Sequence, residues 1–364
     1  TLSVAVDSIN GKAITASDMP RIHAGELIRV AGHIERNGVR MDGFNGTLSA
    51  IIRDTEEQIV CKLNDESKDG ADEALTYTDR TKILFHGSDK VKDGNFSFIF
   101  AVPMDINYSE GNGLMNFYAI DDDKTVSAHG AFDQFEVNGS VTMENDSIGP
   151  SIFCFLNSPD FTYGGEVNST PFFVAQISDK DGINASGSGI GHDMQLVIDG
   201  DINQTYNLND NFTFDFGSYT SGQTYYAIPQ LEPGEHTLRF RAWDILNNPS
   251  TSTLKFVVRN GLKPTISSIS ATPNPASESV TFIINHDRNG TESDFEIDVM
   301  DASGRLLWTK HESGTATDNS YTVTWNLNLD NGLPLQTGVY LYRIRMSSGG
   351  SSWVSQAKKM IVVR

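Results

Sequence analysis

The stretch TPNPASESVTFII, residues 272–284, decides how this chain is read. Pro273 and Pro275 flank Asn274, and proline's fixed φ and missing N–H interrupt any helix there. The residue before each proline is also pushed toward extended backbone. A few residues later VTFII sets up the alternation of a strand, with its side-chain period of two. A chain broken this firmly and then resumed as strand is expected to open a separate β-module.

Working downstream, FEIDVMDASGRLLW, SYTVTWNL, GVYLYRIRM and KKMIVVR carry the same alternation and complete a last module over residues 263–364. Upstream, FFVAQISD, DMQLVIDG, NFTFDFG, HTLRFRAWD and TLKFVVR give a middle module over residues 147–262, introduced by the turn pair Gly149-Pro150. The layout of PGEHTLRFRAWDILNNPSTSTLKFVV resembles the closing strands of bacterial immunoglobulin-like domains. GEHTLRFRAW and GVYLYRIRM read as divergent copies of one plan, without a fixed-period repeat. The first module, residues 1–146, contains GELIRVAGHIE, GTLSAIIRD, NFSFIFAVP and LMNFYAIDD, separated by Asn-Gly and Asp-Gly turn signals. Residues 64–81 are charged and irregular and read as a long excursion from the sheet. The expected fold class is all-β: three consecutive β-sandwich, Ig-like domains, the last of them small.

Composition agrees. The chain has 364 residues, too many for one small core, and it lacks Ala-, Leu- and Glu-rich helical periodicity. Its 27 basic and 47 acidic residues give a net charge of −20, which opposes nucleic-acid binding. Nothing approaches the roughly 20 apolar residues of a membrane-spanning helix. The chain begins with TLSVAVDSING, a strand pattern without an initiator Met, so a fragment or processed form is expected. The missing targeting segment then says nothing about compartment.

A search for chemistry finds little. Cys61 in QIVCKLN and Cys154 in SIFCFLN sit in apolar strand patterns and read as small buried hydrophobes. They fall in different expected domains, so a disulfide between them would cross a boundary. The eight His are scattered, with no HExxH and no ligand-spaced pair. GSGIG at residues 187–191 lacks the third glycine of a dinucleotide fingerprint, because His192 holds that position. Asp179, Asp181 and Asn184 could offer hard oxygens to calcium, with Asp193 or Asp244 completing a shell. The same residues are equally good turn chemistry. The phenylalanines of NFSFIFAVP and NFTFDFG share a strand face and read as core; a sugar platform would need aromatics exposed together. No catalytic residue and no cofactor are expected in this chain.

Four elements at the chain end carry a resemblance. Pro273-Asn274-Pro275 before a strand, DASGRLLW, TGVYLYRIRM and the terminal KKMIVV resemble, in that order, the C-terminal sorting domain of type IX secretion cargo. That system belongs to Bacteroidetes-type bacteria. In that family a PNP element opens an Ig-like sandwich, followed by a D-x-x-G-R turn, a G-x-Y strand and a lysine-preceded final strand. The resemblance implies sorting roles for Pro273, Asn274, Pro275, Gly304, Arg305, Gly338, Tyr340, Lys358 and Lys359. An exposed final-strand edge is expected to be what the secretion machinery reads.

Upstream, DGFNGTLSAIIRD, VKDGNFSFIFAVPMDINYSEGNGLMNFYAIDD, AHGAFDQFEVNG and GPSIFCFLNSPDF are similar to the region after the peptidase domain in PorU-like sortases. DKDGINASGSGIGHDMQLVIDG and FRAWDILNN extend that similarity. Those sortases are gingipain-like cysteine peptidases of caspase fold at the cell surface. The resemblance implies that the nucleophilic Cys and the general-base His precede Thr1, and that Cys61 and Cys154 hold neither role. The implied partners are the type IX machinery, an outer-membrane β-barrel and the upstream peptidase domain. The alternative is a set of accessory Ig-like domains of a secreted gingipain-type protease or adhesin, whose sorting signal is cut off after export.

Overall fold

The structure, a computed structural model, describes residues 2–15, 17–61, 74–187, 191–288, 291–316, 319–329 and 331–363. Regular structure is almost entirely strand. Two single-turn 3-10 helices (Ile202–Gln204 and Asn209–Asn211) complete it, and there is no α-helix among the described residues. No helix is long and apolar enough to cross a membrane among those residues.

The first thirteen strands are β1 (Leu2–Ile9), β2 (Lys12–Ala13), β3 (Arg21–Ala24), β4 (Leu27–Arg36), β5 (Val39–Arg40), β6 (Gly46–Arg53) and β7 (Glu57–Val60), then β8 (Thr76–Asp79), β9 (Ile83–Lys92), β10 (Asn95–Ala101), β11 (Leu114–Asp121), β12 (Ser127–Phe132) and β13 (Glu136–Ser140). Nine of them form a sheet in the order β2-β1-β12-β11-β6-β9-β10-β4-β5. Strand β1 also pairs with β4, so the sheet closes on itself. The alternation read from sequence is what fills it: Ile28, Val30, Leu48, Ile52, Phe96, Phe98 and Phe100 all point inward and are buried. At Gly32 of β4 a Cβ would lie 2.1 Å from the Ala5 carbonyl oxygen and 2.5 Å from the Phe96 ring, so the close approach of β1 to β4 needs a glycine.

The excursion read over residues 64–81 differs in part. Thr76–Asp79 forms β8, paired antiparallel with β7; its side chains are all exposed, which removes any apolar alternation from its sequence. Residues 62–73 lie outside the described residues. Cys61 sits just beyond the end of β7 and is half-buried, whereas Cys154 is buried inside a strand; neither is in a disulfide among the described residues.

The middle strands are β14 (Ser151–Leu156), β15 (Glu166–Val167), β16 (Phe172–Ser178), β17 (Gln195–Ile198), β18 (Thr205–Asn207), β19 (Thr213–Phe214), β20 (Ser221–Ala227), β21 (Gly234–Trp243) and β22 (Pro249–Val258). They run in two sheets, β14-β16-β20-β19 and β15-β22-β21-β17-β18. The last strands are β23 (Ile266–Thr272), β24 (Val280–His286), β25 (Glu292–Met300), β26 (Leu306–Thr315), β27 (Ser320–Trp325), β28 (Gly338–Ser348), β29 (Ser351–Val354) and β30 (Lys358–Val362). They form a sheet β23-β24-β27 and a sheet β26-β25-β28, on whose outer strand β29 and β30 pair with successive halves of β28.

The chain divides into two compact units. One joins Thr1–Phe153, Ala175–Thr224 and Arg239–Ser252; the other joins Cys154–Val174, Tyr225–Leu238 and Thr253–Arg364. Within the second, Phe282, Ile284, Ile297, Val299, Trp325, Tyr342, Ile344, Met360 and Val362 make one closed core. The Trp308 and Trp325 rings stack at 4.5 Å across it.

Candidate functional site

Pro273, Asn274 and Pro275 open the loop between β23 and β24, and both peptide bonds preceding the prolines are cis. Neither proline has an N–H to satisfy, and within Pro273–Pro275 the asparagine supplies the hydrogen-bonding side chain. Its Oδ1 accepts the Ile361 N–H at 2.9 Å, and its Nδ2 donates to the Lys359 carbonyl at 3.1 Å. One side-chain amide thus reproduces what a peptide unit of a neighbouring strand would offer β30. Ala276 continues the pairing: its N–H donates to the Ile361 carbonyl and its carbonyl accepts the Val363 N–H, each at 2.8 Å. The outer edge of β30 from Lys359 to Val363 is therefore closed by the PNP loop. The expectation of an open final-strand edge is overturned here, because the loop occupies the backbone groups that an added strand would use.

On its inner side β30 pairs antiparallel with β28, Gly338 opposite Val362 and Tyr342 opposite Lys358. Tyr340 is buried, and its Oη donates to the Gln336 carbonyl at 2.8 Å, closing the turn that leads into β28. Gly338 lies beside that ring; an added Cβ would meet it at 3.5 Å, ordinary contact. Lys358 reaches away from the sheet and its Nζ donates to the Ile269 carbonyl of β23 at 2.9 Å. Lys359 is exposed.

The turn between β25 and β26 holds Gly304 at φ +87°, the left-handed region that favours glycine. Asp301 organises it. Its carboxylate accepts from the Ser303 hydroxyl at 2.6 Å and N–H at 2.9 Å, from the Arg305 N–H at 3.1 Å and from Arg305 Nε at 3.0 Å. The Ser303 hydroxyl first, then the backbone N–H groups and the guanidinium, hold this carboxyl down to about 2.

Register brings these pieces together. Met300 pairs with Leu341, Leu341 pairs with Lys359, and Lys359 receives Asn274. The Asp301–Arg305 turn, the Gly338–Tyr340 segment, Lys358–Lys359 and the PNP loop consequently form one band across one end of the five-stranded sheet. Three contributors escaped the sequence reading: Asp301, though it leads the D-x-x-G-R turn; Ala276, which carries no signal; and Ser355. The Ser355 N–H donates to the Ile344 carbonyl at 2.8 Å while its Oγ accepts the Ile344 N–H at 3.0 Å, marking the break between β29 and β30.

The residues weighed for calcium are placed as follows. Asp179 Oδ1 accepts the N–H groups of Asp181 and Gly182. The Lys180 ammonium bridges Asp181 at 2.8 Å and Asp146 at 3.0 Å, and those hydrogen bonds raise its pKa. Asn184 turns elsewhere, donating to Asp105 at 2.8 Å and accepting from the Ser186 hydroxyl. Asp244 accepts the N–H groups of Leu246 and Asn248. Burial pushes the Asp179 and Asp244 carboxyls up. No group of three His, Cys, Asp or Glu side chains stands as a metal set among the described residues. Of the GSGIG stretch, residues 188–190 lie outside the described residues.

Residues 270–363 match the family model described as "Secretion system C-terminal sorting domain". Among solved structures, dimeric latent PorU from Porphyromonas gingivalis is 32% identical, with 100% of this chain and 34% of that chain covered and a TM-score of 0.47. The chain thus spans about a third of the PorU chain it matches. The chicken CNTN1 FN1–FN3 domains are 10% identical, covering 100% of this chain and 98% of that one at a TM-score of 0.21. The chicken interferon gamma receptor alpha chain is 8% identical, covering 60% and 100% at a TM-score of 0.24. No curated protein matches the chain. The chain is thus similar along its whole length to about one third of PorU, and its residues 270–363 match the model of the secretion system C-terminal sorting domain.

Proposed function

We propose that this chain is the non-catalytic C-terminal region of a cell-surface, PorU-like cysteine peptidase, the sortase of type IX secretion. The observation that carries the reading is 32% identity to PorU along the whole chain, ending in a sorting-domain match. Residues 1–146 and 147–262 act as support and docking domains for a peptidase domain encoded upstream, and residues 263–364 as the export address. That address is read by the secretion machinery and an outer-membrane β-barrel partner as a folded band: the PNP loop with β30, the Gly304–Arg305 turn, Gly338–Tyr340 and Lys358–Lys359. Nucleophile and general base belong to the upstream domain.

The segment joining residues 147–262 to residues 263–364 favours retention of the address over its removal. A protease needs its substrate extended and free, and residues 261–265 are held instead. Asp287 and Arg288, both buried, pair at 3.3 Å. Asp287 Oδ1 accepts the Thr265 N–H at 2.9 Å, Arg288 Nη2 donates to the Leu262 carbonyl, and the Ser351 hydroxyl donates to the Gly261 carbonyl at 2.8 Å. Burial pushes the Asp287 carboxyl up and the Arg288 guanidinium down, and the charge of each partly offsets the burial of the other.

The test is export of the full gene product in a type IX-competent host, probed with an antibody against residues 320–363. Retention predicts surface protein that still carries the epitope. Surface protein without the epitope would favour the cleavable-signal reading, and protein trapped in the periplasm would remove the export assignment. At the Asp179 turn we propose that Lys180 supplies the positive charge and no calcium is bound. Millimolar calcium then leaves the melting temperature unmoved, and a rise would reinstate the metal.

A further inference from the structure

The phenylalanines of NFSFIFAVP, together with Phe212 and Phe214, are buried as core, whereas Phe216, read as core with them, is 59% exposed at the end of that stretch. Aromatic surface is also exposed on the middle sheet, where Phe153 of β14 keeps 51% of its area open. It stands at a cleft of about 320 Å³ on the outward face of the β14-β16-β20-β19 sheet. Gln176 of β16, Gln223 of β20, Asp215 just after β19 and the hydroxyls of Ser178 and Ser221 line the same cleft. Thr213 lies opposite Gln223 in the β19–β20 ladder.

The lining selects a ligand chemistry. Gln176 and Gln223 each present two donors and two acceptor lone pairs, and the Asp215 carboxylate presents acceptors. None of these three side chains has a hydrogen-bond partner among the described residues. Among the described residues no Lys, Arg or His lines the cleft, and a carboxylate does, so phosphate, sulfate and other anions are disfavoured. One phenyl ring among amides and hydroxyls is too little apolar surface for a lipid or a flat hydrophobic ligand. What fits is a neutral molecule with one apolar face and a rim of hydroxyls that both donate and accept. The volume stands near the lower end of ligand sites, about 300–1,000 Å³, enough for one or two sugar rings.

We propose that this cleft is a binding subsite for a neutral glycan, with the C–H face of a pyranose packed on Phe153 and its hydroxyls held by Gln176, Gln223 and Asp215. Binding here is a property of the middle sheet and does not depend on the sorting assignment.

The experiment is saturation-transfer NMR on the whole purified chain with maltotriose, cellotriose, mannotriose and galactotriose. Transfer to ring C–H protons of at least one trisaccharide is expected. Phe153→Ala should weaken that binding about tenfold or more, as loss of an aromatic contact does, and Gln223→Ala should weaken it while keeping the ring. Tyr163→Ala, at a tyrosine 63% exposed that does not line the cleft, should change nothing. Absence of transfer with all four sugars overturns the proposal, as does transfer that survives both cleft variants. Sedimentation of the wild type and Phe153→Ala is run alongside. A concentration-dependent dimer lost in the variant, without sugar binding, would assign the face to protein contact instead.

Discussion

The two outer edges of the last five-stranded sheet are handled differently. Strand β26 ends the sheet on one side, pairs only with β25 among the described residues, and is mostly exposed. It carries Lys310, His311 and Glu312 along that edge, the charged decoration that discourages another strand from adding. Strand β30 ends the other side with little such decoration on its outward positions: Ile361 and Val363 follow Lys359. Its backbone is closed by Asn274 and Ala276 instead. One edge is protected by side-chain charge and the other by occupied hydrogen bonds. The closed edge belongs to the strand that bears Lys358 and Lys359, so these lysines sit in a sealed unit of loop and strand.

The comparison can be broken at its strongest point first. Asn274→Ala removes both side-chain hydrogen bonds to β30 and is expected to cost about 1–3 kcal/mol at about 0.5–1.5 kcal/mol each, read by denaturant unfolding. Lys358→Met keeps the aliphatic stem but loses the donation to the Ile269 carbonyl, with an expected cost of about 0.5–1.5 kcal/mol in the same assay. Asp301→Ala tests the turn at the same end of the sheet. The Asp301 pKa is depressed from 3.8 to about 2 in the fold, so its stabilisation is fully present above pH 3.8 and fades as pH falls toward 2. The melting-temperature gap between wild type and Asp301→Ala should thus be constant above that range and shrink within it. The smallest effect belongs to the charged edge. Lys310→Thr on β26 should leave stability within about 0.5 kcal/mol while raising self-association in sedimentation, because charge there protects without holding anything.

Much of this was legible in the residues, and the reasons for the rest are physical. Period-two alternation placed β4, β6, β10, β24 and β28, because each buries one face. It missed β8, whose TYTD side chains are all exposed, and it cannot orient SIFCFL, where apolar residues occupy both faces and only the packed structure leaves Phe153 outside. The elements of the terminal band were legible one by one. Their convergence was not, since Asn274 and Ile361 stand 87 residues apart and meet only through the register of β28 and β30. The open edge expected for β30 failed for the same reason: local sequence shows a terminal strand and cannot show the loop that covers it. The Asp179 turn was ambiguous because Asx turns and calcium loops draw on the same residue types, and Lys180 became informative only once Asp146 stood beside it.

The central claim is that the PNP loop closes the terminal strand, and amide hydrogen exchange tests it most directly. In the wild-type chain the Ile361 and Val363 amides should exchange as slowly as those of β28, while the outward amides of β26 exchange fast. In Asn274→Ala the Ile361 amide should lose its protection selectively, with β28 unchanged. Fast exchange at Ile361 in the wild type, or full protection persisting in the variant, would contradict the account.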